Sequence, residues 1–253
     1  MQAEKYIREQ GYVGEQLKTD LNSIKGLVLA VFAGLLLMFA GFQAMPEPST
    51  PLLAKVMCLL SLSIASGGVG AYLARNLSGW LPVIGLFVVA IIGMFVVQEA
   101  GGGYVAVGLL MGWSGVFGAM TGPLLNQAVS TEGPGIVIQA LTGTTAVMVI
   151  TGIIAMTSGI NFSALAPILM IALLGLIVVG LIGIFVRFSR TVNIVYSIFG
   201  LVIFSGFFLV KFFRLSQSEN TWESAVRLSL SLYVTFVNFF IHLLQLLMFS
   251  RRR

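Results

Sequence analysis

Eight long apolar runs, separated by only a few residues each, constrain this chain more than anything else in it. They lie at about 27–45, 52–74, 80–98, 104–126, 135–158, 164–188, 192–214 and 221–249. A helix needs roughly 20 apolar residues to cross a bilayer's hydrocarbon core. Inside that core every backbone N–H and C=O must be answered by the chain itself, which a helix does. The pattern therefore predicts an all-α integral membrane protein, a polytopic bundle with almost no soluble mass. Charge agrees: only 9% of residues are charged, where a soluble domain carries roughly 25%. Glu4, Glu9, Glu15, Asp20, Glu47, Glu99, Glu132, Glu219 and Glu223 fall in tails, connections or run ends. None sits mid-span, where a charge costs about 3 kcal/mol or more.

The net charge of +5 reads as topology rather than as a nucleic-acid surface, because the bases cluster at run ends. If all eight runs span, one side holds Lys5, Arg8, Lys18, Lys25, Arg75, Arg187, Arg190 and Arg251 to Arg253. The other holds Lys55, Lys211, Arg214 and Arg227. The positive-inside rule then places both termini in the cytoplasm. If the first run lies on the membrane surface, seven spans put the ends on opposite sides. Residues 1–26 are polar and charged, so the run after them reads as a retained membrane helix and not a cleaved leader. In that tail Val13, Leu17, Leu21 and Ile24 recur at helical spacing. This suits an interfacial amphipathic helix or a handle for a cytoplasmic partner.

The sequence offers no catalytic constellation. It has one histidine, no paired carboxylates within a span and no metal-ligand spacing. Gly101-Gly102-Gly103 lacks the lysine of a phosphate loop. The expectation is a non-enzymatic protein with no metal and no cofactor. Cys58, the single cysteine, reads as a small core residue.

Two runs carry more than hydrophobicity. In the run 104–126, Gly108, Gly112, Gly115, Gly118 and Gly122 recur every three or four residues. They predict a face on which another helix approaches closely. Pro123 predicts a kink, or an end near Asn126, with packing and a gating hinge as its two roles. In the run 221–249, Ser224, Arg227, Ser231, Thr235, Asn238, His242 and Gln245 form one stripe. Polar groups avoid lipid tails, so the stripe predicts a helix whose polar side faces the bundle interior. There it is either interhelical hydrogen-bond glue or the wall of a water-filled path. Asn220 and Glu223 suggest a capping box at its start. In an antiparallel pair with this helix, Lys211 comes close to its upper half, either snorkelling to the interface or lining a path.

Three stretches carry a family resemblance. They are Ser114-Gly115-Val116-Phe117-Gly118 into Gly122-Pro123-Leu124-Leu125-Asn126, Gly143-Thr144-Thr145-Ala146 through Ser158-Gly159-Ile160-Asn161-Phe162-Ser163, and Ser231 through Phe240. Leu59-Leu60-Ser61-Leu62-Ser63 adds a fourth. Taken in order, they resemble the Bax inhibitor-1 family over roughly residues 52–249, most closely its bacterial YccA-like branch. The resemblance implies six helices around a central one, usually the last. It divides the chain into a polar tail at 1–26, an extra N-terminal helix and loop at 27–50, and a seven-helix domain at 51–253.

Family members implicated in calcium leak carry a carboxylate pair in the last two helices. Here the matching positions are Lys211 and Thr235. A lysine repels a divalent cation, so a calcium leak is not expected. The branch is associated with the FtsH-type AAA+ protease, gripped by its cytoplasmic tail. The resemblance thus implies a modulator of a membrane protein complex in the bacterial inner membrane. The alternative is a pH-sensitive leak for protons or anions.

Overall fold

The computed structural model describes residues 51–77, 80–186 and 188–251, so the readings for the tail 1–26 and the extra helix at 27–50 lie outside the described residues. Seven α-helices follow in order: α1 (Leu52–Leu73), α2 (Trp80–Glu99), α3 (Tyr104–Glu132), α4 (Gly135–Thr157), α5 (Ala166–Phe185), α6 (Arg190–Gln217) and α7 (Trp222–Arg251). A 3-10 turn at Phe162–Leu165 leads into α5. Six of the helices are long and apolar enough to cross a membrane, and the Ile84–Glu99 part of α2 is apolar but shorter.

The connections are tight for local reasons. Gly101 and Gly133 turn the chain at φ 74° and 80°, a left-handed conformation that glycine adopts without steric cost. Ser189 caps α6 by accepting from the Val192 N–H at 3.4 Å. Thr221 caps α7 by accepting from the Ser224 N–H at 3.1 Å. The capping hydroxyl thus comes one residue after the predicted Asn220. Glu223 pairs instead with Arg227 one turn on, at 2.9 Å.

The last helix is the centre of the bundle. It packs against α6, α1, α4, α3 and α2, while α5 lies one layer out against α6. Buried residues run along α7 from Ala225 to Met248. By contrast α2 and α5 expose Ile84, Phe87, Ile92, Ile168, Ile171 and Leu174. An outward apolar surface is what lipid tails require.

α1 and α3 make the closest approach. A Cβ added at Gly118 would collide with the Gly67 backbone, and one at Gly70 with the Gly115 carbonyl. One at Gly122 would come within 2.5 Å of the Ala71 carbonyl oxygen. The predicted small face therefore holds for Gly115, Gly118 and Gly122. It does not hold for Gly108 and Gly112, where an added Cβ meets nothing within 4 Å. The α3 stretch that meets α1 is the half leading to Pro123.

The predicted end near Asn126 is also corrected. Pro123 lies inside α3, which continues to Glu132. Past the proline, Ala128 is buried in a cluster with Ile136, Ala140, Phe240, Leu244 and Met248. Packing by neighbouring helices holds the final turns, as it does around prolines in membrane helices generally.

Cross-helix contacts give the bundle two ends. Arg190 Nε donates to the Phe249 carbonyl at 2.8 Å, and Arg251 donates to Gln139 Oε1 at 2.6 Å. The start of α6, the end of α7 and the start of α4 thus share one end. By the alternation of the helices, Arg75 and Glu132 fall there too. At the other end Lys55 Nζ lies 5.0 Å over the Trp222 ring, at the starts of α1 and α7.

Gly118→Leu should overpack the α1–α3 contact, with a loss of about 1–3 kcal/mol. Gly108→Leu should leave stability within about 0.5 kcal/mol, a typical range for surface substitutions. Reversible unfolding of the two variants in mixed micelles checks the contrast.

Candidate functional site

The candidate site is the polar side of α7 with the part of α6 that faces it. Along the predicted stripe Thr235 and His242 are buried, while Ser224, Ser231, Asn238 and Gln245 are half-buried. Arg227, at the top of the stripe, is exposed and paired with Glu223. The stripe therefore turns inward, as expected, along its middle.

Its polar groups are largely answered at short range. Thr235 Oγ1 donates to the Ser231 carbonyl at 3.0 Å, and Asn238 Nδ2 donates to the Val234 carbonyl at 2.8 Å. Both are bonds one turn back on the same helix. The surrounding α7 side chains Leu232, Phe236, Phe239 and Leu244 are buried.

Lys211 is half-buried on α6. The α6–α7 register follows from ring contacts. Phe208 faces Phe239 at 5.8 Å, and Phe204 faces His242 at 5.6 Å. Moving one turn up α6 from Phe208 and one turn down the numbering of α7 from Phe239 brings Lys211 level with Thr235. By this register the two family-matched positions lie at about one level of the bundle. Among the described residues Lys211 makes no ion pair. A carboxylate at this level is absent from both helices.

His242 sits deeper in the same seam. Its ring contacts Tyr196 at 5.3 Å and Phe204 at 5.6 Å. A Cβ added at Gly200 would come within 2.5 Å of that ring. Nδ1 of His242 has no hydrogen-bond partner. A buried polar atom left unanswered costs roughly 1–3 kcal/mol.

The cross-helix hydrogen bonds of α7 lie beside the stripe rather than on it. Tyr233 donates to the Ser114 carbonyl at 2.9 Å, and Ser229 donates to the Val56 carbonyl at 3.1 Å. The Tyr233 ring also packs edge-on to Trp113 and Phe117, at 5.8 and 5.9 Å. Trp113 Nε1 donates to the Ala90 carbonyl at 2.7 Å, which ties α2 into the cluster. A tyrosine deep in a span must place its hydroxyl on an acceptor, and that signal points to Tyr233 in the sequence. The sequence marks Lys55 only as a topology charge, yet it is fully buried. Its ammonium lies over Trp222 in a cation–π contact. Cys58 is a buried free thiol. Among the described residues no three His, Cys, Asp or Glu side chains gather as a metal site would need.

Comparison with known proteins adds to this geometry. The family described as "Inhibitor of apoptosis-promoting Bax1" matches residues 49–252. The chain belongs to the Bax inhibitor family. Among similar proteins, an uncharacterized membrane protein of Vibrio cholerae is 30% identical over 193 residues, covering 75% of this chain and 85% of that protein. The Golgi anti-apoptotic protein of Vaccinia virus (strain Lister) is 38% identical over 118 residues, covering 47% of this chain and 49% of its own. Bax inhibitor 1 of Schizosaccharomyces pombe is 30% identical over 132 residues, covering 52% and 49%. The chain thus spans about half the length of the viral and yeast proteins that it matches.

Tyr233→Phe should weaken the bundle by about 0.5–1.5 kcal/mol, the net worth of one intramolecular hydrogen bond. Thr235→Val should change it by less, because its hydroxyl bonds only to its own helix. Unfolding of both variants in mixed micelles decides between a structural role for Tyr233 and one for the stripe.

Proposed function

We propose that this chain is a non-catalytic, non-conducting family member that binds and modulates another membrane protein complex. An FtsH-type AAA+ protease is the partner class. The observation that carries the reading is the chemistry at the level of Lys211 and Thr235. The family resemblance implies two carboxylates there in members implicated in calcium leak, and a shared proton lets such a pair respond to pH. Here one position is a cation, and the other spends its hydroxyl on the Ser231 carbonyl. A calcium ion reaching this level meets an ammonium and a hydroxyl that is already bonded.

Acid–base catalysis finds little support either. Glu99, Glu132 and Glu223 lie at helix ends and Glu219 in the α6–α7 connection, away from the buried centre of α7. The polar tail 1–26 offers a handle of the kind a cytoplasmic protease grips. Arginines at the end where α7 finishes support a cytoplasmic C-terminus. With the first run spanning, the tail shares that side. The bacterial inner membrane and the YccA-like branch fit this arrangement, and the Vibrio relative supports a bacterial setting.

A second reading, a leak for protons or anions, draws on one observation. His242 Nδ1 is buried without a partner in the same seam as Lys211, and such an atom is where a water-filled path would run.

Liposomes holding the full chain should pass neither calcium nor protons above empty liposomes at pH 6 or pH 8. The double variant Lys211→Asp with Thr235→Asp should leak calcium. Flux through the unaltered chain would overturn the non-conducting reading. Deleting residues 1–24 should abolish capture by the protease complex in co-purification, and retained capture would remove the tail from the mechanism.

A further inference from the structure

We propose that a groove between α1, α2 and α3 binds one acyl chain of an anionic phospholipid, with the lipid phosphate held at Arg75. The groove has a volume of about 580 Å³ and is lined by residues that include Val69, Leu73, Leu77, Leu86, Gly112 and Val116. Ser66 contributes a hydroxyl to the lining, but it is committed to the Met111 carbonyl at 2.7 Å. The wall therefore offers an occupant almost no hydrogen bonding, and the part of the occupant that lies here is hydrocarbon.

Position selects a lipid over other apolar molecules. Val69, Leu73 and Gly112 are exposed, so the groove opens outward to the hydrocarbon. Gly112 meets nothing within 4 Å of an added Cβ, which leaves the groove its depth. From Ser66 to Leu73 the wall spans roughly 10 Å of helix, and with the turn that follows it approaches the roughly 15 Å depth of one leaflet.

Charge selects the headgroup. The groove ends at Ala74 and Leu77, on the end of the bundle that carries the arginines. Between them in the chain, Arg75 lies 4.0 Å over the Tyr72 ring. Among the described residues it makes no ion pair. A guanidinium stacked on a ring keeps its N–H edge for a phosphate, which it binds in a two-pronged fashion. A zwitterionic headgroup brings its own ammonium to compete, and an anionic one does not.

The test is lipid retention by the full chain in detergent, measured by native mass spectrometry with phosphatidylglycerol against phosphatidylcholine of identical chains. The expected result is a preference of about fivefold for phosphatidylglycerol, the factor one basic residue contributes near an anionic headgroup. Arg75→Gln should lose the preference and keep weak chain binding. Gly112→Leu should fill the groove and lose both lipids, with its unfolding temperature in lipid-free detergent unchanged. Equal retention of the two lipids, or an unchanged preference in Arg75→Gln, would overturn the proposal. So would full retention in a folded Gly112→Leu chain, displacement of the lipid by inorganic phosphate alone, or a lipid-free dimer that Gly112→Leu abolishes. Should Gly112→Leu fail to fold, Arg75→Gln alone decides.

Discussion

In hydrocarbon a hydroxyl or amide without a partner costs several kcal/mol, and α7 carries such groups through the middle of the bundle. Their partners organise the packing. Thr235 and Asn238 turn back to carbonyls of α7 itself. Ser229 reaches α1, and Tyr233 reaches α3. The Tyr233 bond has a geometric condition: the hydroxyl passes so close to Gly67 that a Cβ there would collide with it. Gly67 is also where the backbone of α3 arrives at Gly118. One small residue thus serves the α1–α3 approach and the anchoring of the central helix.

The same constraint explains the outer layer. α2 and α5 present large apolar side chains outward because lipid, not water, surrounds them. α5 needs few partners in the bundle, since its hydrogen bonds are internal to the helix and its side chains are already in their preferred solvent. The cross-helix contacts made by charged side chains lie at the two ends. Arg190 and Arg251 close one end across three helices, and Lys55 stacks on Trp222 at the other.

Much of this was legible in the sequence, and what was not has physical reasons. Span length and the absence of mid-span acids gave the bundle, and the spacing from Ser231 to Gln245 gave the inward face of the last helix. Three of the five glycines on the predicted small face of α3 meet α1. Glycine spacing marks where a helix can approach, but the neighbour decides where it does, and α1 meets Gly115, Gly118 and Gly122 without reaching Gly108 or Gly112. Of the two outcomes that Pro123 predicts, the helix end does not occur, because a proline's local cost is offset when later residues such as Ala128 pack into a buried cluster. The sequence marks Lys55 as an end-of-span charge because no pattern in it predicts that a first-turn lysine finds an aromatic ring 167 residues further along the chain, at Trp222. For the same reason Tyr233, rather than the stripe beside it, carries the bond to Ser114.

The functional account follows from how little chemistry the centre of α7 leaves available. A leak needs water or ions beside the helix, and at the level of Thr235 the structure has packed side chains, a hydroxyl already bonded and a lysine. Thiol accessibility tests this most directly. In a chain with Cys58→Ala, Thr235→Cys and Arg227→Cys would be exposed in liposomes to a small, charged, thiol-reactive probe. The account predicts immediate modification at 227 and none at 235 until the protein is unfolded. Modification at 235 at a rate near that of 227 would contradict it, because water would then reach the centre of the bundle.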